Sequence, residues 1–151
     1  MHPFPHEYTA SASARPEGRV TVASPGLSEI ATSSPAQFGG PGDVWSPETL
    51  LCASLADCFV LTFRAVATAS SFEWQTLECR VEGVLERVDR VTRFTRFTTY
   101  ATLGVAAGSD TDRARLLLEK AEHGCLVSNS VSGARSLVAK VETVAGGSPS
   151  S

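Results

Sequence analysis

The sequence predicts a single domain of the α+β class. Three features carry that reading: a long apolar helix opened by Ser46-Pro47-Glu48, two consecutive segments of period-two alternation between Leu77 and Val105, and a second helix with an apolar stripe at helical spacing. At 151 residues the chain is the size of one ordinary domain, assigned to 1–145 with a flexible tail at 146–151. Hydrophobic residues make up 42% and charged residues 19%, which suits a packed core rather than a disordered chain.

Taken in order, Tyr8–Ser13 and Arg19–Ala23 alternate polar with apolar or small residues on either side of Pro16-Glu17-Gly18, the pattern of a short hairpin. Leu27–Thr32 reads as a third strand, and 34–42, with two prolines and three glycines, as a loop. Ser46 can accept from the free amides of a helix start, Pro47 brings the φ that the first helical position needs, and Glu48 meets the positive end of the dipole. The helix runs to about Ala69. Between Leu50 and Phe63 only Ser54, Asp57 and Thr62 are clearly polar, which predicts a helix enclosed on most sides. Asp57 and Arg64 would be costly inside a lone membrane span, so a buried helix is expected and a membrane is not.

From Leu77 the period changes to two, with Leu77, Cys79, Val81 and Leu85 on one face and Glu78, Arg80, Glu82 and Glu86 on the other. This strand ends near Asp89-Arg90, and a second runs from Val91 to about Val105, with the odd step from Phe94 to Phe97 marking a bulge. The two are expected to pair as a long hairpin. Ser109 and Asp110 can cap a helix whose stripe is Ala114, Leu117, Leu118 and Ala121 and which ends at Gly124. A short helical turn through 125–129 and a last strand over Ser136–Val144 follow.

The formal net charge of -3 supplies no positive field for a phosphate backbone, so nucleic acid is not an expected partner. The opening Met1-His2-Pro3-Phe4-Pro5-His6 lacks the basic and apolar regions of an export signal, which leads to the expectation of a cytoplasmic protein. Cys52, Cys58, Cys79 and Cys125 form neither a CxxC nor a zinc spacing with His2, His6 or His123, so no metal is expected. In a reducing compartment each is then a small core residue or a reactive thiol. Cys52 points about 120° away from Cys58 around the helix, and Cys79 lies on the apolar face of its strand; both read as structural. Cys58 follows Asp57, whose charge disfavours a thiolate, whereas Cys125 follows a helix-ending glycine, where free amides would favour one.

The blocks Phe38-Gly39-Gly40-Pro41-Gly42, Ser46-Pro47-Glu48-Thr49-Leu50-Leu51, Ala56-Asp57-Cys58-Phe59 and Ala121-Glu122-His123-Gly124-Cys125-Leu126-Val127-Ser128-Asn129 resemble the glycine-rich loop, the Pro-Glu helix and the two cysteine segments of the OsmC/Ohr proteins, on the general OsmC-like branch. The resemblance implies an OsmC-like fold: an intertwined homodimer whose long central helices are enclosed by antiparallel sheets. It implies a peroxidase without metal, flavin or other cofactor that acts on organic hydroperoxides, with hydrogen peroxide as a second candidate substrate. Cys58 would attack the peroxide and become a sulfenic acid, Cys125 would condense with it to a disulfide, and a dithiol or lipoylated-protein reductant would reset the pair.

By the same resemblance Glu48 holds an arginine against the Cys58 thiolate. Arg15 and Arg19 both fit that place, with Arg19 preferred. Leu126 stands where many Ohr members have proline, which leaves the preferred substrate open. Two other readings compete: an OsmC-fold protein that holds a small apolar ligand or partner at the dimer groove with little peroxidase activity, and a thiol–disulfide oxidoreductase, which would more often carry CxxC.

Overall fold

The computed structural model describes residues 1–145; the tail expected at 146–151 lies outside them. Two compact units are present, Met1–Leu51 and a second beginning at Cys52.

In the first unit β1 (Ser11–Ser13), β2 (Val20–Ala23) and β3 (Ile30–Thr32) form an antiparallel sheet in that order. Both outer strands are shorter than their alternation predicts. Ser11 pairs with Ala23, so continuing β1 back to Tyr8 would set it against Ser24-Pro25-Gly26. Proline has no N–H to give, and Ser24 and Leu27 instead close a turn with an N–H to carbonyl bond of 3.1 Å.

The helix α1 (Pro47–Ala69) starts where Ser46 and Pro47 place it. The Thr49 N–H donates to Ser46 Oγ at 3.1 Å, and the Ser46 N–H donates to Thr49 Oγ1 at 2.9 Å, a reciprocal cap.

In the second unit, α1 buries the stripe Leu55, Phe59, Phe63 and Ala67. Its opposite side carries Ser54, Asp57, Leu61, Arg64, Ala65 and Thr68, all exposed. In this single chain the helix is therefore less enclosed than its scarcity of polar residues predicts: Ser54, Asp57, Arg64 and Thr68 share the exposed side, while Thr62 is half-buried.

The strands β4 (Thr76–Val88) and β5 (Val91–Val105) form the expected long hairpin. Asp89 and Arg90 join them with φ of 50° and 67°, the left-handed pair that a two-residue turn needs to follow the strand twist. Val84 pairs with Arg96 but Leu85 with Phe94, so Thr95 is the extra residue of the bulge read from the Phe94–Phe97 step.

A second helix, α2 (Thr111–Gly124), is capped by Asp110, whose side chain accepts from the Arg113 N–H at 3.0 Å. After it β6 (Ala134–Thr143) adds to β5 in parallel, giving the order β4-β5-β6. The sheet is thus mixed and not wholly antiparallel. With α2 between β5 and β6, the chain is carried back to the end of the sheet where β5 began.

On the inward face the register aligns Leu77, Leu103 and Val141 in one row, and Cys79, Ala101 and Ala139 in the next. These rows meet Phe59, Phe63 and Ala67 of α1, and Ala114, Leu117, Leu118 and Ala121 of α2, in one apolar core. Both helices are fixed by that core, which sets where their cysteines meet.

Candidate functional site

Cys58 lies on the middle of α1, next to the buried Phe59, and is half-buried. Its Sγ is 3.9 Å from the Oγ1 of Thr62, one turn further along. Cys125 terminates α2, where the backbone leaves the helix with φ -68° and ψ 106°, and it is completely buried. Although it comes from a different helix, the Cys125 thiol neighbours Cys58 closely enough for the two to influence each other's charge. The end of α2 also packs close to α1: a Cβ added to Gly124 would lie 3.5 Å from Thr62 Cγ2.

The environment of Cys125 is divided. Burial pushes its thiol up, and the neighbouring Cys58 adds to this; the hydroxyl and the backbone N–H of Ser128 pull it down. The hydroxyl donates to Cys125 Sγ at 3.2 Å. Of the amides expected there, that of Ser128 acts on the sulfur, but burial outweighs it, so the expectation of a lowered Cys125 thiol is overturned.

Cys79, on β4, is pushed up to about 12 by burial first, then by Glu122 and Cys125. It is a poor nucleophile and a core residue, as the strand pattern indicates. Cys52 is also raised by burial, against a hydrogen bond from the backbone at Gly83. All four cysteines are free thiols.

In the first unit Arg19 donates to Asp43 Oδ2 at 2.9 Å, and both side chains are more than half exposed. Glu48 occupies the first turn of α1, and its Oε1 is buried without a hydrogen-bond partner. The structure therefore brings Cys58 and Cys125 together and pairs Arg19 with Asp43. Arg15 is exposed on the connection between β1 and β2.

Two neighbours of the thiols escape a reading of the sequence for reactive groups. Ser128 was legible only as part of a motif, yet a Cys-x-x-Ser spacing at the start of a turn is the spacing of a capping pair. Glu122 looks like an ordinary helix charge. Its Oε2 is buried without a partner, and burial raises its carboxyl while Arg135 and then His123 pull it back.

The family model described as OsmC-like protein matches residues 40–139. The uncharacterized protein YmaD of Bacillus subtilis (strain 168) is 25% identical over 104 residues, 67% of this chain and 69% of YmaD. Among solved structures, an OsmC-like protein of unknown function from Vibrio cholerae superposes with a TM-score of 0.79 at 18% identity, covering 89% of this chain and 99% of that one. The organic hydroperoxide resistance protein OsmC of Legionella pneumophila does so with a TM-score of 0.73 at 24% identity, covering 93% and 99%. At such identities the two structures speak for the fold alone. With the family model covering both cysteines and most of the second unit, the chain belongs to the OsmC-like protein family.

Proposed function

We propose that this protein is a cysteine peroxidase that reduces organic hydroperoxides, and hydrogen peroxide as a second candidate substrate. The observation that supports it is the adjacency of the Cys58 and Cys125 thiols, which are remote in sequence and carried by different helices. In this reading the Cys58 thiolate attacks the terminal peroxide oxygen, the O–O bond breaks, and the alkoxide leaves as the alcohol. Cys58 is then a sulfenic acid, and attack by the Cys125 sulfur expels its oxygen as water and forms the disulfide. The more accessible Cys58 and the wholly buried Cys125 fit a division into peroxide-facing and resolving thiols.

Arg19 activates Cys58 and Glu48 holds that arginine, which requires the Arg19–Asp43 pair to open. An external dithiol, such as a lipoylated protein, resets the disulfide, and the chemistry uses no metal or bound cofactor. The protein works as a homodimer in the cytoplasm, in keeping with the exposed Leu61 on the outer side of α1.

The present pairing of Arg19 with Asp43 favours a second reading, an OsmC-fold binding protein with little peroxidase activity. Consumption of cumene hydroperoxide with dihydrolipoamide, compared with hydrogen peroxide and with Cys58→Ser, separates the two. Cys58-dependent turnover preferring the organic peroxide supports the peroxidase, and turnover at the Cys58→Ser background refutes it.

A further inference from the structure

Cys125 marks the end of one helix and the beginning of another turn. The Asn129 N–H donates to the Cys125 carbonyl at 3.0 Å, and a 3₁₀ turn follows over Ser128–Ser130. Ser128, three residues after the cysteine, is itself buried, with 5% of its surface exposed. Its hydroxyl has one hydrogen to give and directs it to Cys125 Sγ at 3.2 Å, while its backbone N–H approaches the same sulfur. A neutral thiol is a weak acceptor, whereas a thiolate is a strong one, so both bonds strengthen as charge gathers on the sulfur.

We propose that Ser128 is a positioning residue for the resolving thiol: its hydroxyl and amide hold the Cys125 sulfur towards Cys58 and stabilise negative charge on it. The proposal rests on the peroxidase reading above and assigns work to both halves of the cycle. In the first half, Cys125 attacks Cys58 of the sulfenic acid; the S–O bond breaks, and the departing hydroxide combines with the proton given up by Cys125 to form water. In the second, one thiolate of the external dithiol attacks the disulfide at Cys58, the less buried of the two sulfurs. Cys125 then leaves as the thiolate that Ser128 stabilises, and the second thiol of the reductant releases Cys58. A leaving thiol of lower basicity departs faster, so the same two donors assist attack and departure.

The test uses the full chain labelled with ¹³C at cysteine Cβ, so that each thiol titrates separately, together with single-turnover oxidation by cumene hydroperoxide. Ser128→Ala is expected to raise the Cys125 titration midpoint by about one pH unit and to slow conversion of sulfenic acid to disulfide by about tenfold. The rate of Cys58 sulfenic acid formation, read by dimedone trapping, should stay unchanged, and Ser128→Thr should restore both altered quantities. A Cys125 midpoint and a resolution rate in folded Ser128→Ala within about twofold of the wild type would overturn the role of Ser128. If wild-type Cys58 forms no sulfenic acid at all, it is the peroxidase reading that falls, and the Cys125 titration still reports independently on Ser128.

Discussion

Cys58 on α1 and Cys125 at the end of α2 are close neighbours, near enough for Cys58 to push the Cys125 thiol up. Their bonding partners differ: Thr62 stands near Cys58, and Ser128 donates to Cys125. The two sulfurs are therefore chemically distinct before any oxidant arrives.

That distinction predicts different failures for the two serine variants. Cys58→Ser should lower hydroperoxide turnover by about a thousandfold, to background, because the attacking sulfur is gone. Cys125→Ser should still consume one equivalent of peroxide and then stall with Cys58 trapped as sulfenic acid, visible by mass as one added oxygen. A burst of equal size in Cys58→Ser would contradict the assignment of the attacking sulfur.

The resolving step should speed up with pH. Burial is the largest influence on Cys125 and holds its thiol above the ordinary value of 9.0, so only a small fraction is thiolate near neutrality. Below that raised value each pH unit multiplies the thiolate fraction by about ten, and disulfide formation from the sulfenic acid should follow it. Stopped-flow measurement between pH 6 and 8 checks this, and a flat profile would show that Cys125 does not limit the step.

Glu122 contributes to stability in the opposite sense from an ordinary carboxylate. Burial raises its folded value above the ordinary 4.5, so between the two values the folded chain holds a proton that the unfolded chain has released. Its contribution is fully present below about 4.5 and is lost as pH rises through the raised folded value. Glu122→Gln should thus melt about 1–3 °C above the wild type at pH 7, a small gain because the side chain is half-exposed and Arg135 offsets part of the burial. The advantage should shrink towards pH 4.5, and an equal advantage at both pH values would mean that titration is not its origin.

Much of the second unit was legible because its signals are local. The period-two alternation of β4 and β5 and the Phe94–Phe97 step fixed the hairpin and its bulge at Thr95, and the Ala114-Leu117-Leu118-Ala121 stripe fixed the inward face of α2. What stayed hidden depends on partners distant in the chain. The shortness of β1 follows from Pro25 opposite it, and the parallel direction of β6 from the crossover through α2. Neither helix says by itself that Cys58 meets Cys125; that expectation came from the family resemblance, and the packing of both helices on one core supplies its physical cause. The burial that raises Cys125 could not be read from a glycine and a helix end.

The hairpin turn offers a test of the fold independent of the site. Arg90 adopts φ of 67°, a conformation that costs a side chain more than it costs glycine. Arg90→Gly should stabilise the protein by about 0.5–1 kcal/mol in urea unfolding, with peroxide turnover unchanged. On β4 the opposite holds for Gly83: an added Cβ would stand 2.9 Å from the Phe94 ring and 3.1 Å from Cys52 Sγ. Gly83→Ala should cost about 1–3 kcal/mol through overpacking between the hairpin and α1, and a neutral effect would mean that Phe94 moves aside freely.

The arginine assignment can be decided kinetically. Arg19 and Asp43 form an exposed pair, a type that contributes about 0.2–1 kcal/mol and is screened by salt, so opening it opposes activation only weakly. If Arg19 serves Cys58, Asp43→Asn should leave or raise the rate of sulfenic acid formation, while Arg19→Ala should lower that rate by about tenfold or more, the loss of a charge-assisted bond to the thiolate. Arg15→Ala should leave it within about twofold. The reverse pattern would transfer the role to Arg15, and no effect from either would remove arginine from the activation of Cys58. Glu48→Gln provides the control on the proposed holder: its buried Oε1 has no partner while Arg19 is with Asp43. A slower first step in Glu48→Gln that disappears in the Arg19→Ala background would show that the carboxylate acts through that arginine.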